Sequence, residues 1–371
     1  LVALARSEWF LLMSGGTCLV FFLAGPSIQG ALGNPAILAL VFVWLFGAIL
    51  GSAVNVTRHA DHLAVRLGEP YGTLILTLSV TAIEVMSITA VMLHGENNPQ
   101  LVRDTLMAVI MIILNGMVGL SLLVGAWKHR EQHYNLQGAN TYLGVIIPLA
   151  VLALVMPDFT VTTPGPTLAF GQERFLAMMS LGLYCAFLAM QTGRHRGYFI
   201  LEEEKAAEAR GAVEHPHKQS GRSILHHAVM LGAFIAPVVY LAEQLAHPID
   251  YVIETMRAPP ALGGVAIALL VATPEGIGAV KAAAANQLQR SINIFLGSVL
   301  STIGLTVPAM LAISHVTGRQ FVLGVEHAEM VMLLLTLGVS VVTFASGRTN
   351  VLQGIVHLLL FLAFVLLLFE G

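Results

Sequence analysis

Residues 269–280 read LLVATPEGIGAV, placing Glu275 directly after a proline inside an otherwise apolar run. A carboxylate buried in a bilayer is expensive, and such residues mark substrate or proton pathways. The same pattern occurs earlier in the chain. Residues 72–84 read GTLILTLSVTAIE and residues 263–275 read GGVAIALLVATPE, each reaching glutamate twelve positions after a glycine. Twelve helical steps cover about 18 Å, so Glu84 and Glu275 are both expected near the middle of a membrane.

The composition agrees with that setting. The chain has 371 residues, of which 56% are hydrophobic and 11% charged, against about 25% charged in soluble domains. This predicts an all-α membrane protein, a polytopic helical bundle. The net charge of -3 gives no reason to expect a nucleic acid partner. Cys18 and Cys185 lie in apolar runs and read as small buried residues, with no disulfide or metal framework. The opening LVALARSEWFLLMSGGTCLVFF is followed by GPSIQG without a clear cleavage site. It reads as a retained first helix.

Apolar runs near the roughly 20 residues needed to cross a bilayer recur along the chain. Eleven spans are expected, at about 9–26, 34–56, 72–93, 105–126, 141–157, 175–191, 225–242, 261–280, 292–313, 328–345 and 349–369. The two acids fall in the third and eighth, which therefore run in opposite directions. The echo continues into the following spans, where Arg103 to Gly119 lies against Arg290 to Gly304 with a small offset. An inverted repeat of this kind is how secondary transporters build a midplane site. The expected organisation is a leading helix over 1–30, a first five-helix repeat over 31–191, a cytoplasmic linker over 192–224 and a second repeat over 225–371.

Of the 18 Lys and Arg residues, only Arg103, Arg174, Arg257 and Arg319 fall on the side opposite the N-terminus. The positive-inside rule then predicts a cytoplasmic N-terminus and an external C-terminus. The linker contains LEEEKAAEARGAVEHPHKQSGR. It reads as a solvated segment whose EEEKAAEAR portion forms a short surface helix.

The candidate chemistry centres on the two acids. Carboxylates, carbonyls and water are the ligands that hard cations such as Ca²⁺ take. Two carboxylates that lose their cation favour taking up protons instead, so cation and proton compete at one site. Thr77, Thr81, Glu84 and Ser87 share one helical face. Pro274 cannot donate to the residue four positions back, and the expectation is that the helix unwinds there. That would free the Ala272 and Thr273 carbonyls as ligands. Asn115 is an amide near the middle of the fourth span. Asn293, Gly297, Ser301 and Gly304 repeat the spacing in the ninth, flanked by Ser298 and Thr302. Asn286 and Gln287 are expected at a cytoplasmic entrance beside Lys281 and Arg290.

Other polar positions read as ordinary structure. Glu326, His327 and Glu329 form a small acidic mouth at an interface. His59, Asp61 and His62 are expected in the loop before the third span, without the further ligand a zinc site needs. The turn from Ser346 to Asn350 joins two helices, with Asn350 as a cap. No phosphate-binding glycine loop and no nucleophile–base constellation is evident. The chain is therefore expected to be no enzyme and to need no cofactor.

Three stretches carry a resemblance: RHADHLAVRLGEPYGTLILTLSVTAIEV at 58–85, ATPEGIGAVKAAAANQLQRSINIFLGSVLSTIGLTVP at 272–308, and FASGRTNVLQGIVHL at 344–358. They resemble the cation/proton exchangers of the cation/Ca²⁺ exchanger superfamily, on the side of the bacterial calcium/proton or sodium-potassium/proton type. The resemblance implies eleven spans and an acidic residue in each repeat. Those positions are Glu84 and Glu275, with Asn286, Ser298 and Ser301 in the second repeat. The commoner Gly-Asn-x-x-Glu-His pattern is departed from, since SVTAIEV and VATPEGI lack both the Asn and the His. The resemblance implies a secondary antiporter of a bacterial inner membrane, exporting Ca²⁺, Na⁺ or K⁺ in exchange for protons. A passive cation channel is the alternative.

Overall fold

In the computed structural model, which describes residues 8–68, 71–93, 98–201 and 223–370, the long apolar runs all form helix. Eleven continuous helical runs occur among these residues. They are α1 (Trp9–Gly30), α2 (Pro35–Leu67), α3 (Tyr71–Leu93), α4 (Leu101–His129), α5 (Leu136–Phe159), α6 (Phe170–Thr192), α7 (Ile224–Met256), α8 (Ala261–Ala284), α9 (Leu288–Thr317), α10 (His327–Thr343) and α11 (Val351–Glu370). All but the shorter α10 are long and apolar enough to cross a membrane. The chain is an integral membrane protein of the all-α class.

Helix lengths recur five elements apart. Both α2 and α7 have 33 residues, α3 and α8 have 23 and 24, and α4 and α9 have 29 and 30. The last pair shares a rarer feature. Each contains a π-helical insert, Ile112–Met117 in α4 and Thr302–Thr306 in α9. Such inserts are frequent at functional sites.

Local chemistry sets the ends. Asn34 accepts from the Ala36 N–H at 3.0 Å, and Pro35 follows it at the first helical position of α2, where its missing donor is harmless. Gly68 stops α2 with a φ of 66°. The Glu326 N–H donates to Glu329 Oε2 at 3.2 Å, so Glu329 caps α10. At the start of α11, Asn350 and Gln353 exchange side-chain to backbone bonds of 3.1 and 3.0 Å, the reciprocal cap expected of Asn350. The turn before it also carries a strand. β1 (Gln132–His133) and β2 (Arg348–Thr349) pair antiparallel.

The chain divides into two compact units, and the boundary inside α8 falls between Pro274 and Glu275. The first unit contains α1, α2, α3, α7 and the start of α8. There α2 and α7 lie along each other, with α3 against both and α1 against both. Leu45, Ile49, Val56, Phe234, Val238 and Leu241 are buried in its core. The second unit contains α4, α5, α6, α9, α10, α11 and α8 from Glu275 onward. Its α4 is buried almost throughout and lies against α11, while α9 meets α5 and α6.

Two expectations change, and a third is not tested. His59, Asp61 and His62 are not in a loop, because α2 continues to Leu67. Helical hydrogen bonding carries on where hydropathy falls, so the chain leaves the apolar zone before the helix ends. Cys185 is exposed rather than buried, and both cysteines are free; its helix turns that face outward. The EEEKAAEAR segment expected as a surface helix lies outside the described residues.

Candidate cation site

Glu84 is 1% exposed on α3, with Thr81 and Ser87 three positions to either side. That spacing stacks all three on one face. Thr81 Oγ1 and Ser87 Oγ are shielded from solvent and have no hydrogen-bond partner among the described residues. A buried hydroxyl left unsatisfied costs about 1–3 kcal/mol, so these oxygens are suited to a ligand. Thr77 differs: its hydroxyl donates to the Thr73 carbonyl at 2.9 Å.

In the second unit Glu275 is half-buried. Its carboxylate accepts a hydrogen bond from the Ser298 hydroxyl of α9. Its Oε2 is shielded and has no partner among the described residues. Ser301 lies one turn further along α9 and donates to the Ser298 carbonyl at 2.9 Å. A Cβ on Gly276 would come within 2.5 Å of Met117 Cε, at the end of the α4 insert. The missing side chain is what lets α8 and α4 approach beside the acid.

The expected unwinding at Pro274 does not occur. The helix runs unbroken from Ala261 to Ala284 with Pro274 inside it. Proline deprives only the Leu270 carbonyl of its partner, and the bonds of neighbouring turns hold the helix; membrane helices commonly tolerate this. Ala272 and Thr273 stay helical, and the Thr273 hydroxyl bonds to the Leu269 carbonyl.

Asn115 lies fully buried in the α4 insert. Its Nδ2 donates to Thr336 Oγ1 of α10 at 2.8 Å, and its Oδ1 faces His357 Nδ1 of α11 at 3.3 Å. The other nitrogen of His357 is 3.0 Å from the Thr343 hydroxyl. Sequence reasoning picked out Asn115 and missed His357. The signal was present, since a histidine inside VLQGIVHLLLFLAFVLLLF is an intramembrane polar residue by the criterion applied to the glutamates.

Asn286 lies just past the C-terminal end of α8, roughly 15 Å along the chain direction from Glu275. It has a φ of 62° and accepts from Gln132 Nε2 at 3.0 Å. It lines a cavity of about 570 Å³ with Glu131, His133, Tyr134, Asn135 and Gln137. The acidic mouth is a separate cavity of about 470 Å³, where Arg103 faces Glu326 at 3.5 Å.

Among the described residues no group of three or more His, Cys, Asp or Glu side chains is arranged to hold a metal ion. Each unit instead offers, inside an apolar helix, a glutamate with a shielded carboxylate oxygen and hydroxyl oxygens nearby, Glu84 in the first and Glu275 in the second. That donor set is oxygen-only, which suits hard cations and not zinc or copper.

Comparison with known proteins identifies the family. The chain is 42% identical to the sodium-potassium/proton antiporter ChaA of Escherichia coli strain K12, over 90% of each chain. It is 23% identical to the Ca²⁺/H⁺ antiporter ChaA of Bacillus subtilis strain 168, over 85% of this chain and 88% of that one. The solved structure of native YfkE matches its fold with a TM-score of 0.74 at 19% identity, covering 98% of this chain and 100% of that one. Residues 37–193 and 226–370 match the family model described as sodium/calcium exchanger protein. On these matches the chain belongs to the sodium/calcium exchanger protein family.

Proposed function

We propose that this protein is a proton-coupled cation antiporter of a bacterial inner membrane, with its N-terminus cytoplasmic and its C-terminus outside. It exports Ca²⁺, or Na⁺ and K⁺, while protons move inward. Glu84 and Glu275 are the groups that alternate between cation and proton. The observation that carries this reading is a glutamate with a solvent-shielded carboxylate oxygen in the apolar part of α3 and another in α8, one in each unit and each set among hydroxyl-bearing residues. Thr81 and Ser87 add oxygens near the first acid, and Ser298 and Ser301 near the second. Asn115 and Asn286 complete the proposed path; Ala272 and Thr273 drop out of it, because the helix that was to release their carbonyls stays intact. The two relatives named above are an alkali-cation/proton and a calcium/proton antiporter, so both cation classes belong in the test.

Exchange needs no resident cofactor. A carboxylate that has lost its cation in a low-dielectric setting is best neutralised by a proton. A proton-loaded site binds cation only by releasing that proton. Competition of this kind couples the two flows, whereas a channel would conduct the cation without moving protons. The domain reading stays a leading helix, 31–191, the linker 192–224, and 225–371, with the two repeats inverted.

The test uses everted vesicles with an acidified lumen and a lumenal pH dye. Ca²⁺, Na⁺ and K⁺ are added in turn to the bath, which meets the cytoplasmic face. Cation-dependent loss of lumenal acidity is expected in the wild type and not in Glu84→Gln or Glu275→Gln. Normal exchange in both variants would overturn the assignment. Cation conduction with no change in lumenal pH would favour the channel.

A further inference from the structure

The first unit contains a buried cluster of ionisable groups that the cation site does not use. Glu8, just ahead of α1, is 4% exposed, His59 of α2 is 1% exposed and His227 of α7 is 2% exposed. Glu8 Oε2 accepts from Arg58 Nη2 and lies 3.3 Å from His59 Nε2. The opposite nitrogen, His59 Nδ1, is 2.9 Å from His227 Nδ1. His226 Nε2 is 4.0 Å from Glu8 Oε1, and the His62 ring is 4.8 Å from that of His227. The Phe234 ring stacks on His59 at 5.8 Å. Three separate segments therefore meet at one imidazole pair.

His59 Nε2 has both an acceptor, Glu8 Oε2, and a donor, Arg58 Nη2, at 3.3 Å. Across the Nδ1–Nδ1 contact only one hydrogen fits, so one ring donates and the other accepts. One added proton is accommodated when one ring is charged and donates while the other carries its own hydrogen on Nε2. A second proton does not fit. It puts two N–H groups head to head across 2.9 Å. It also adds like charge beside Arg58, with Arg66, His62 and His226 nearby. The remaining titratable groups on these elements are Cys18 on α1, Asp61 on α2, Tyr71 and Glu84 on α3, the helix packed against both α2 and α7, and Tyr240, Glu243, His247, Asp250, Tyr251 and Glu254 further along α7.

We propose that His59 and His227 form a proton-sensing site, a latch that ties α2, α7 and Glu8 together and opens when both imidazoles are protonated. A histidine freed from the contact titrates in the physiological range, while the closed pair resists a second proton, so acidification favours the open arrangement. The cluster lies at the helix ends assigned to the cytoplasm. Its consequence for transport rests on the proposed inward movement of protons. Opening in an acid cytoplasm slows the exchanger before it imports more acid.

The experiment measures melting temperature of the purified full chain in detergent between about pH 8 and about pH 5.5, the range over which histidine changes charge. The wild type is expected to lose stability as pH falls. His227→Asn, which can still donate to His59 but cannot titrate, should lose less, and His227→Phe should behave likewise. In everted vesicles the wild-type exchange rate should fall about tenfold per pH unit in the bath below the midpoint, one proton being taken up. His227→Asn should stay active at lower pH. Parallel melting curves in the wild type and both variants would overturn the sensor. An altered melting profile with an unchanged exchange profile would overturn its link to transport. Absence of exchange in the wild type would overturn the transport reading alone, because the melting readout does not depend on it.

Discussion

Asn115 donates its side-chain N–H to the Thr336 hydroxyl across 2.8 Å, from within the π-helical insert of α4. Both groups are fully buried, and Asn115 Oδ1 also faces His357. The amide thus joins three helices of one unit. Removing it in Asn115→Ala leaves Thr336 and His357 short of partners, and each unsatisfied buried group costs about 1–3 kcal/mol. The variant is expected to melt at a lower temperature than the wild type. If Asn115 also contributes to the cation path, the cation concentration giving half-maximal exchange should rise. Thermal unfolding and a cation titration in vesicles separate the two effects. An unchanged melting temperature would contradict the structural role.

Much of this could be read from the chain, for reasons that differ by element. Eleven helices were legible because an apolar run of bilayer length has no other good solution than a helix. The acids Glu84 and Glu275 were legible because a charge inside such a run stands out. The continuation of α2 through His59 was not, since hydropathy reports where a helix leaves lipid and not where its hydrogen bonds stop. The partners of Asn115 were not legible either. Thr336 is 221 positions away and His357 is 242, and one sequence holds no signal linking them. Pro274 misled for a related reason: its local cost is fixed, but whether the helix yields depends on the neighbours around it.

Gly276 tests the close approach of α8 to α4. An added Cβ would meet Met117 Cε at 2.5 Å and Sδ at 2.6 Å. Those atoms end a flexible side chain, so Gly276→Ala should be tolerated by a shift of Met117, whereas Gly276→Val should not. Overpacking of this sort costs about 1–3 kcal/mol. Shortening the neighbour should relieve it, and Gly276→Val with Met117→Ala should recover part of the lost melting temperature. A double-mutant cycle gives the coupling directly. Strictly additive losses would show that the two residues do not meet.

Tyr134 provides a pH-dependent test away from the membrane-spanning helices. Burial pushes its hydroxyl above the usual phenol range, partly offset by hydrogen bonds at the oxygen. The Gly347 N–H donates to that oxygen at 3.2 Å, and the hydroxyl faces the Thr343 carbonyl at 3.4 Å. The folded state therefore holds the neutral phenol more firmly than the unfolded chain does. Its contribution is complete below about pH 10, the unfolded value, and is lost as pH rises through the higher folded value. Tyr134→Phe removes both the hydrogen bonds and the titration. At neutral pH it should be less stable by about 0.5–1.5 kcal/mol, the net worth of an ordinary hydrogen bond. Above about pH 10 the wild type alone bears the cost of a phenol that must stay protonated, so the gap should narrow. Melting temperatures of the two proteins across that range check the sign, and a gap that stays constant or widens would show that the Tyr134 hydroxyl does not titrate as its burial requires.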